Sequence, residues 1–162
     1  MEGGFKMDEL IRIAGIVDES IVDGPGIRLV VFTQGCSHNC KGCHNPHTHS
    51  YTGGILVKIG DIIDRMKKNP LLDGLTISGG EPFDQAKAAG ILAYCAKKLG
   101  YNVRTYTGYM YETLVERAKK DLGCKTLLEN TDVLVDGEFD ESKKDVNLKF
   151  KGSTNQREIV LQ

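Results

Sequence analysis

The sequence predicts an α/β fold, a partial (β/α) barrel of TIM type with a mostly parallel sheet, and three observations lead to it. Apolar, β-branched runs alternate with helical patterns, the connections between them are short, and the chain has 162 residues. Alternation with short connections builds βαβ units and therefore parallel strand pairs. A full eight-unit barrel takes about 250 residues, so a chain of this length builds part of one and leaves a side open.

The elements follow in order. An extended segment covers about Leu10 to Ile16. "IVDGPGIR" makes a Gly/Pro turn, and "LVVFTQG" after it reads as a buried strand. "VKIGDIIDRMKKN" carries Ile59, Ile62, Ile63 and Met66 at helical spacing, with Pro70 closing the helix. Leu75 to Ser78 form a strand that runs into a glycine pair in "SGGEP". The next helix spans "DQAKAAGILAYCAKKLG", with Asp84 as its N-cap and Gly100 as its stop. "NVRTYTG" is a strand, "YMYETLVERAKK" a helix, "TDVLVDGEF" a strand, and "REIVLQ" a final strand. With no repeat or linker between them, residues 1–162 form a single domain, of which 1–8 are expected to be disordered.

Composition bounds the function. Hydrophobic residues at 40% and charged residues at 27% are those of an ordinary globular chain. A net charge of -1 argues against a dedicated nucleic-acid binder, which needs a basic face. No apolar run is long enough to cross a membrane, and "MEGGFKMDELIRIAG" has none of the features of a signal peptide. With three of five cysteines crowded together, the pattern is one of metal-binding or catalytic thiols in a reducing compartment, so a cytoplasmic location is expected.

Those three are Cys36, Cys40 and Cys43, spaced C-x3-C-x2-C in "GCSHNCKGCHNP". Structural zinc takes four ligands, usually as two spaced pairs. Here two overlapping spacings share a cysteine, and His38, His44, His47 and His49 are more readily solvated or packing residues than a fourth ligand. Cys95 and Cys124 lie in helical stretches and read as small buried hydrophobes. An iron–sulfur cube suits the loop better, because each thiolate binds a different iron and closely spaced ligands on an irregular loop can reach. Three cysteines leave one iron open, which a catalytic site needs. The suggestive loops, this one together with "SGGEP", "YTGY" and "VDGEF", all follow strands, where ligand sites of parallel sheets gather.

C-x3-C-x2-C after the first barrel strand resembles the radical S-adenosylmethionine enzymes. "DGPGIR", "GCSHNCKGCHNP" and "SGGEPF" together resemble the activating enzymes of glycyl-radical proteins. "YTGY", "DVLVDGEF" and "KGSTNQR", with the short length, resemble the branch that activates anaerobic ribonucleoside-triphosphate reductase; the likeness runs from about residue 10 to 157.

The resemblance implies that Cys36, Cys40 and Cys43 hold a [4Fe-4S] cluster whose open iron is chelated by S-adenosyl-L-methionine. It implies reductive cleavage to a 5'-deoxyadenosyl radical, which abstracts a hydrogen atom from a glycine of the reductase, with electrons from a flavodoxin- or ferredoxin-type donor. No catalytic residue beyond the cluster is expected. Gly79 and Gly80 would offer backbone to the methionyl group, with Glu81 favouring its ammonium. Taken alone, the same residues read as a tight turn opening a helix, Pro82 fixing φ. Gly42, Cys43 and His44 would pass the adenine, and Asp136 would lie near the cofactor or form a solvated strand end. Thr107 and Gly108 would line the pocket or simply turn the chain. Lys151, Asn155 and Arg157 would contact the partner or form a surface loop, and His49 takes the place where the family often has tryptophan.

Overall fold

Among the described residues, seven strands form one sheet in the order β3-β1-β2-β4-β5-β6-β7. The structure is a computed structural model that describes residues 7–38, 40–41 and 50–162. The strands are β1 (Leu10–Ser20), β2 (Arg28–Thr33), β3 (Ile55–Lys58), β4 (Gly74–Gly79), β5 (Asn102–Tyr106), β6 (Val133–Asp136) and β7 (Arg157–Val160). The helices are α1 (Ile59–Lys67), α2 (Ala86–Lys98), α3 (Tyr111–Ala118) and α4 (Leu122–Glu129). The four central strands β2, β4, β5 and β6 run parallel, whereas β1 and β7 run against them.

Alternation of side chains divides the sheet into two unlike faces. Leu29, Val31, Leu75, Ile77, Val103 and Leu134 point to the helices and join one apolar core. Helix α1 presents Ile59, Ile62, Ile63 and Met66 to that core, the stripe its spacing predicts. Helices α2 and α4 pack at backbone distance: a Cβ on Gly90 would lie 3.2 Å from the Gly123 oxygen. Helix α2 ends as expected, for Gly100 has φ +89 and its N–H donates to Lys97 O, while Tyr101 N–H donates to Ala96 O.

The opposite face mixes Val30, Phe32 and Val135 with a buried polar layer. Arg28, Thr76 and Arg104 occupy neighbouring strands, and both arginines are 2% exposed. Arg28 donates to Thr76 Oγ1, Pro25 O, Leu75 O and the Asn102 side chain. The "DGPG" turn closes over this layer: Thr76 donates to Asp23 O, and a Cβ on Gly24 would strike Arg104 Cδ at 2.7 Å. Burial, reinforced by the neighbouring Arg104, brings the Arg28 pKa down to about 10.

Three expectations need correction. Val57 and Lys58 belong to a strand, Ile55–Lys58, and not to the start of α1; it is an edge strand with Ile55 and Leu56 exposed, and its sequence shows no alternation. Strand β1 continues to Ser20 through two irregularities and pairs antiparallel with β2. Asp84 does not cap α2. A 3-10 turn over Pro82–Gln85 precedes that helix and is capped by Glu81, whose carboxylate accepts from Phe83 N–H.

Candidate cluster and cofactor site

Strands β2 and β4 are stitched together at their carboxyl ends, where the cysteine loop departs. Gly80 N–H donates to Thr33 O and Glu81 N–H to Gly35 O, both at 2.8 Å. Gly79 has φ +99, and a Cβ there would meet Thr33 N at 2.3 Å. Only glycine fits this crossing, and it leaves bare backbone facing outward.

That backbone borders a cavity of about 320 Å³ at the carboxyl ends of the parallel strands. Cys36 and Cys40 line it on one side, Ser78, Gly79 and Gly80 on another, and Thr107 with Gly108 on a third. Phe139, Phe150 and Lys151 come from the C-terminal strap. Phe150 has φ +64, unusual for a bulky residue, and its carbonyl accepts the Tyr106 hydroxyl at 2.5 Å. Gly42, Cys43, His44, His47 and His49 lie outside the described residues. Cys95 and Cys124 are buried in the core; Cys124 donates to Leu114 O, and burial pushes its thiol up to about 11.

Glu81 is fully buried and is not among the residues lining the cavity. Its carboxylate accepts from Thr107 Oγ1, from Gly108 N–H at 2.7 Å and from Phe83 N–H at 3.0 Å, and meets His38 Nε2 at 2.5 Å. Its contact with Phe83 N–H is the one the turn-and-cap reading describes. Asp136 is also buried, and neither a solvated strand end nor a lining residue. Side chains two apart in a strand share a face, so Asp136 follows core residue Leu134 to the helix side. There it accepts from Tyr111 N–H at 2.7 Å, at the start of α3, and from Arg157 Nε at 2.9 Å. The acidic group from this loop that reaches the cysteines is Glu138, its Oε2 3.6 Å from Cys40 Sγ and 3.7 Å from His38 Nδ1.

The segment from Lys151 to Arg157 is folded against the site, not a plain surface loop. Gln156 Oε1 accepts from Gly152 N–H and Ser153 N–H, while its amide donates to Gly137 O. Asn155 donates to Glu138 O and Lys151 to Gln156 O.

Four residues of the site carried no functional reading in the sequence. His38 is held between Glu81 and Glu138 and stacks edge-on against Tyr109, ring centroids 4.5 Å apart. Burial of the ring works against its protonation, but the Glu81 hydrogen bond and the nearby carboxylates outweigh it and raise the pKa above 6.5. Asp84 accepts from Ser37 N–H and from the hydroxyls of Tyr51 and Tyr109. The signal for His38 was its place between two cysteines. For Asp84, Tyr109 and Glu138 it was membership of "SGGEPFD", "YTGY" and "VDGEF".

Comparison with known proteins places this geometry. The family described as "4Fe-4S single cluster domain" matches residues 22–159. A Vibrio cholerae protein named anaerobic ribonucleoside-triphosphate reductase-activating protein is 37% identical, aligned over 84% of this chain and 89% of its own. The Haemophilus influenzae protein of the same name is 32% identical over the same shares. The chain belongs to this family of activating proteins. Among solved structures, the crystal structure of QueE from Escherichia coli aligns with 61% of this chain and 53% of its own at 17% identity, with a TM-score of 0.49. The 4Fe-4S single cluster domain match, residues 22–159, spans the cysteine loop, the glycine turn and the C-terminal strap.

Proposed function

We propose that the chain is a radical S-adenosylmethionine activating enzyme that makes the glycyl radical of anaerobic ribonucleoside-triphosphate reductase. The observation that carries this reading is the convergence of Cys36, Cys40 and the Gly79–Gly80 backbone on one cavity at the carboxyl ends of the parallel strands. The sheet is read as a partial barrel whose open side admits a protein loop.

A [4Fe-4S] cluster fits the residues present: Cys36 and Cys40 offer soft thiolate donors on an irregular loop, and Cys43 is assigned as the third ligand by spacing. When bound, the cluster would supply the single electron for reductive cleavage of S-adenosylmethionine, and with it the radical chemistry of hydrogen abstraction. The chain's own residues do the positioning. Gly79 and Gly80 present backbone to the methionyl group, since nothing larger than hydrogen fits at Gly79. Gly42 and His44 are assigned to the adenine. Phe139 and Phe150 give the cavity part of its apolar wall. Thr107 and Gly108 hold the Glu81 carboxylate away from the cavity. A flavodoxin- or ferredoxin-type protein is the proposed electron donor. The proposed location is the cytoplasm; no helix of the described residues is long and apolar enough to cross a membrane.

The test is electron paramagnetic resonance of anaerobically reconstituted, dithionite-reduced protein, first alone and then with S-adenosylmethionine and the reductase. The expected sequence is a reduced [4Fe-4S] signal, a change in it on adding S-adenosylmethionine, and a glycine-centred doublet on the reductase. A reconstituted cluster that never yields the doublet would sink the activase reading. Tightly held zinc with no cluster would sink the radical chemistry altogether.

A further inference from the structure

Three loops from separate strands end on the Glu81 carboxylate. His38 comes from the cysteine loop, Thr107 and Gly108 from the loop after β5, and Phe83 N–H from Glu81's own turn. His38 stands midway between Cys36 and Cys40, and its side chain is 10% exposed. The space it fills is shaped for it: a Cβ on Gly108 would lie 2.6 Å from the ring, and Tyr109 closes the other side edge-on. One residue earlier the same loop is held a second time, where Ser37 N–H donates to Asp84. Two carboxylates on one short turn thus grip two consecutive residues of the cysteine loop.

We propose that His38 is a positioning residue that donates from Nε2 to Glu81 and so fixes Cys36 and Cys40 relative to the Gly79–Gly80 backbone. The inference rests on the proposed function, in which the thiols carry the cluster and the glycine backbone meets the cofactor. It deepens that reading by giving Glu81 the work of anchoring the loop instead of meeting the cofactor. A hydrogen bond to a buried charged group is among the stronger ones a side chain makes, and its loss would free the loop segment that bears both thiols. A histidine that only filled space would be replaceable by any ring of similar size.

Three variants separate the two. His38→Phe keeps a ring and removes the donor, His38→Gln keeps an amide donor close to the Nε2 position, and Glu81→Gln keeps shape and removes the charge. Each is reconstituted anaerobically, iron per chain is measured, and the reduced cluster signal is titrated with S-adenosylmethionine. The anchor predicts that His38→Phe weakens the titration by about tenfold, the scale of one hydrogen bond to a charged group. His38→Gln should recover most of that loss. The double variant that combines His38→Phe with Glu81→Gln should be no worse than the poorer single variant. Failure of His38→Phe to take up iron, repaired by His38→Gln, supports the anchor equally, because the same loop has lost its position. A wild-type titration curve and iron content in His38→Phe would overturn it. So would a His38→Gln variant as poor as His38→Phe while melting at the wild-type temperature. The wild-type control keeps the two ideas apart. A wild type with no cluster defeats the proposed function, whereas a fully active wild type with indifferent variants defeats the anchor alone.

Discussion

The two faces of the central sheet are built from alternate residues of the same strands, yet they obey different rules. Toward the helices, Leu29, Val31, Leu75, Ile77, Val103 and Leu134 are at most 1% exposed and join the apolar core. An apolar side chain of similar volume serves there, at modest cost. On the other face, Arg28, Thr76, Ser78, Arg104 and Tyr106 occupy the intervening positions. Each polar group there needs a named partner, because an unmet one costs its full desolvation. Arg28 has partners on all three nitrogens, whereas Arg104 Nη2 lies 3.4 Å from Glu158 without a hydrogen bond. One face determines that the chain folds, and the other determines what the fold can hold.

That division can be broken from either side. The largest effect belongs to the site: Cys40→Ala should abolish glycyl-radical formation while the apoprotein melts unchanged, read by electron paramagnetic resonance and calorimetry. On the helix face the expectation reverses. Leu127→Ala should lower unfolding free energy by about 3 kcal/mol in urea, with activity per folded molecule retained. Arg28→Met sharpens the comparison, because it places an apolar chain in the polar layer. The Leu75 and Asn102 carbonyls and Thr76 lose their donor, for a net loss of about 2 kcal/mol by the same denaturant assay. The smallest effect lies off both faces. Arg65→Ala removes an exposed pair with Asp18 and should cost about 0.5 kcal/mol. The Arg65 hydrogen bond lowers the Asp18 pKa below 3.8, so this contribution is present above pH 3.8 and disappears as pH falls through the lowered value. A urea series in acid reads it directly.

Much of the fold is legible in the chain. The i, i+3, i+4, i+7 stripe of α1 and the Gly100 stop of α2 are local signals and appear where expected. Strand β2 is a dense apolar run, whereas β4 and β5 interleave apolar with polar residues, as strands with one helix-covered face do. Strand β3 is not legible, since its pairing partner Leu10–Ile13 lies far back in sequence and its exposed edge carries no periodicity. The helix-side placement of Asp136 follows from strand parity with Leu134. His38 is marked only by its place between two cysteines, and its partner is not legible, for Glu81 is 43 residues away and no local pattern encodes that meeting.

The grip on the cysteine loop also has a consequence for the order of assembly. His38 meets Glu81 across 43 residues, Thr107 meets it across 26, and Tyr51 reaches Asp84 across 33. Contacts of such separation form only after the intervening chain has closed its loops. The sheet between β2 and β5 therefore has to be in register before this seat for the thiols exists. The described seat of Cys36 and Cys40 is thus a product of tertiary closure and not of the local cysteine spacing.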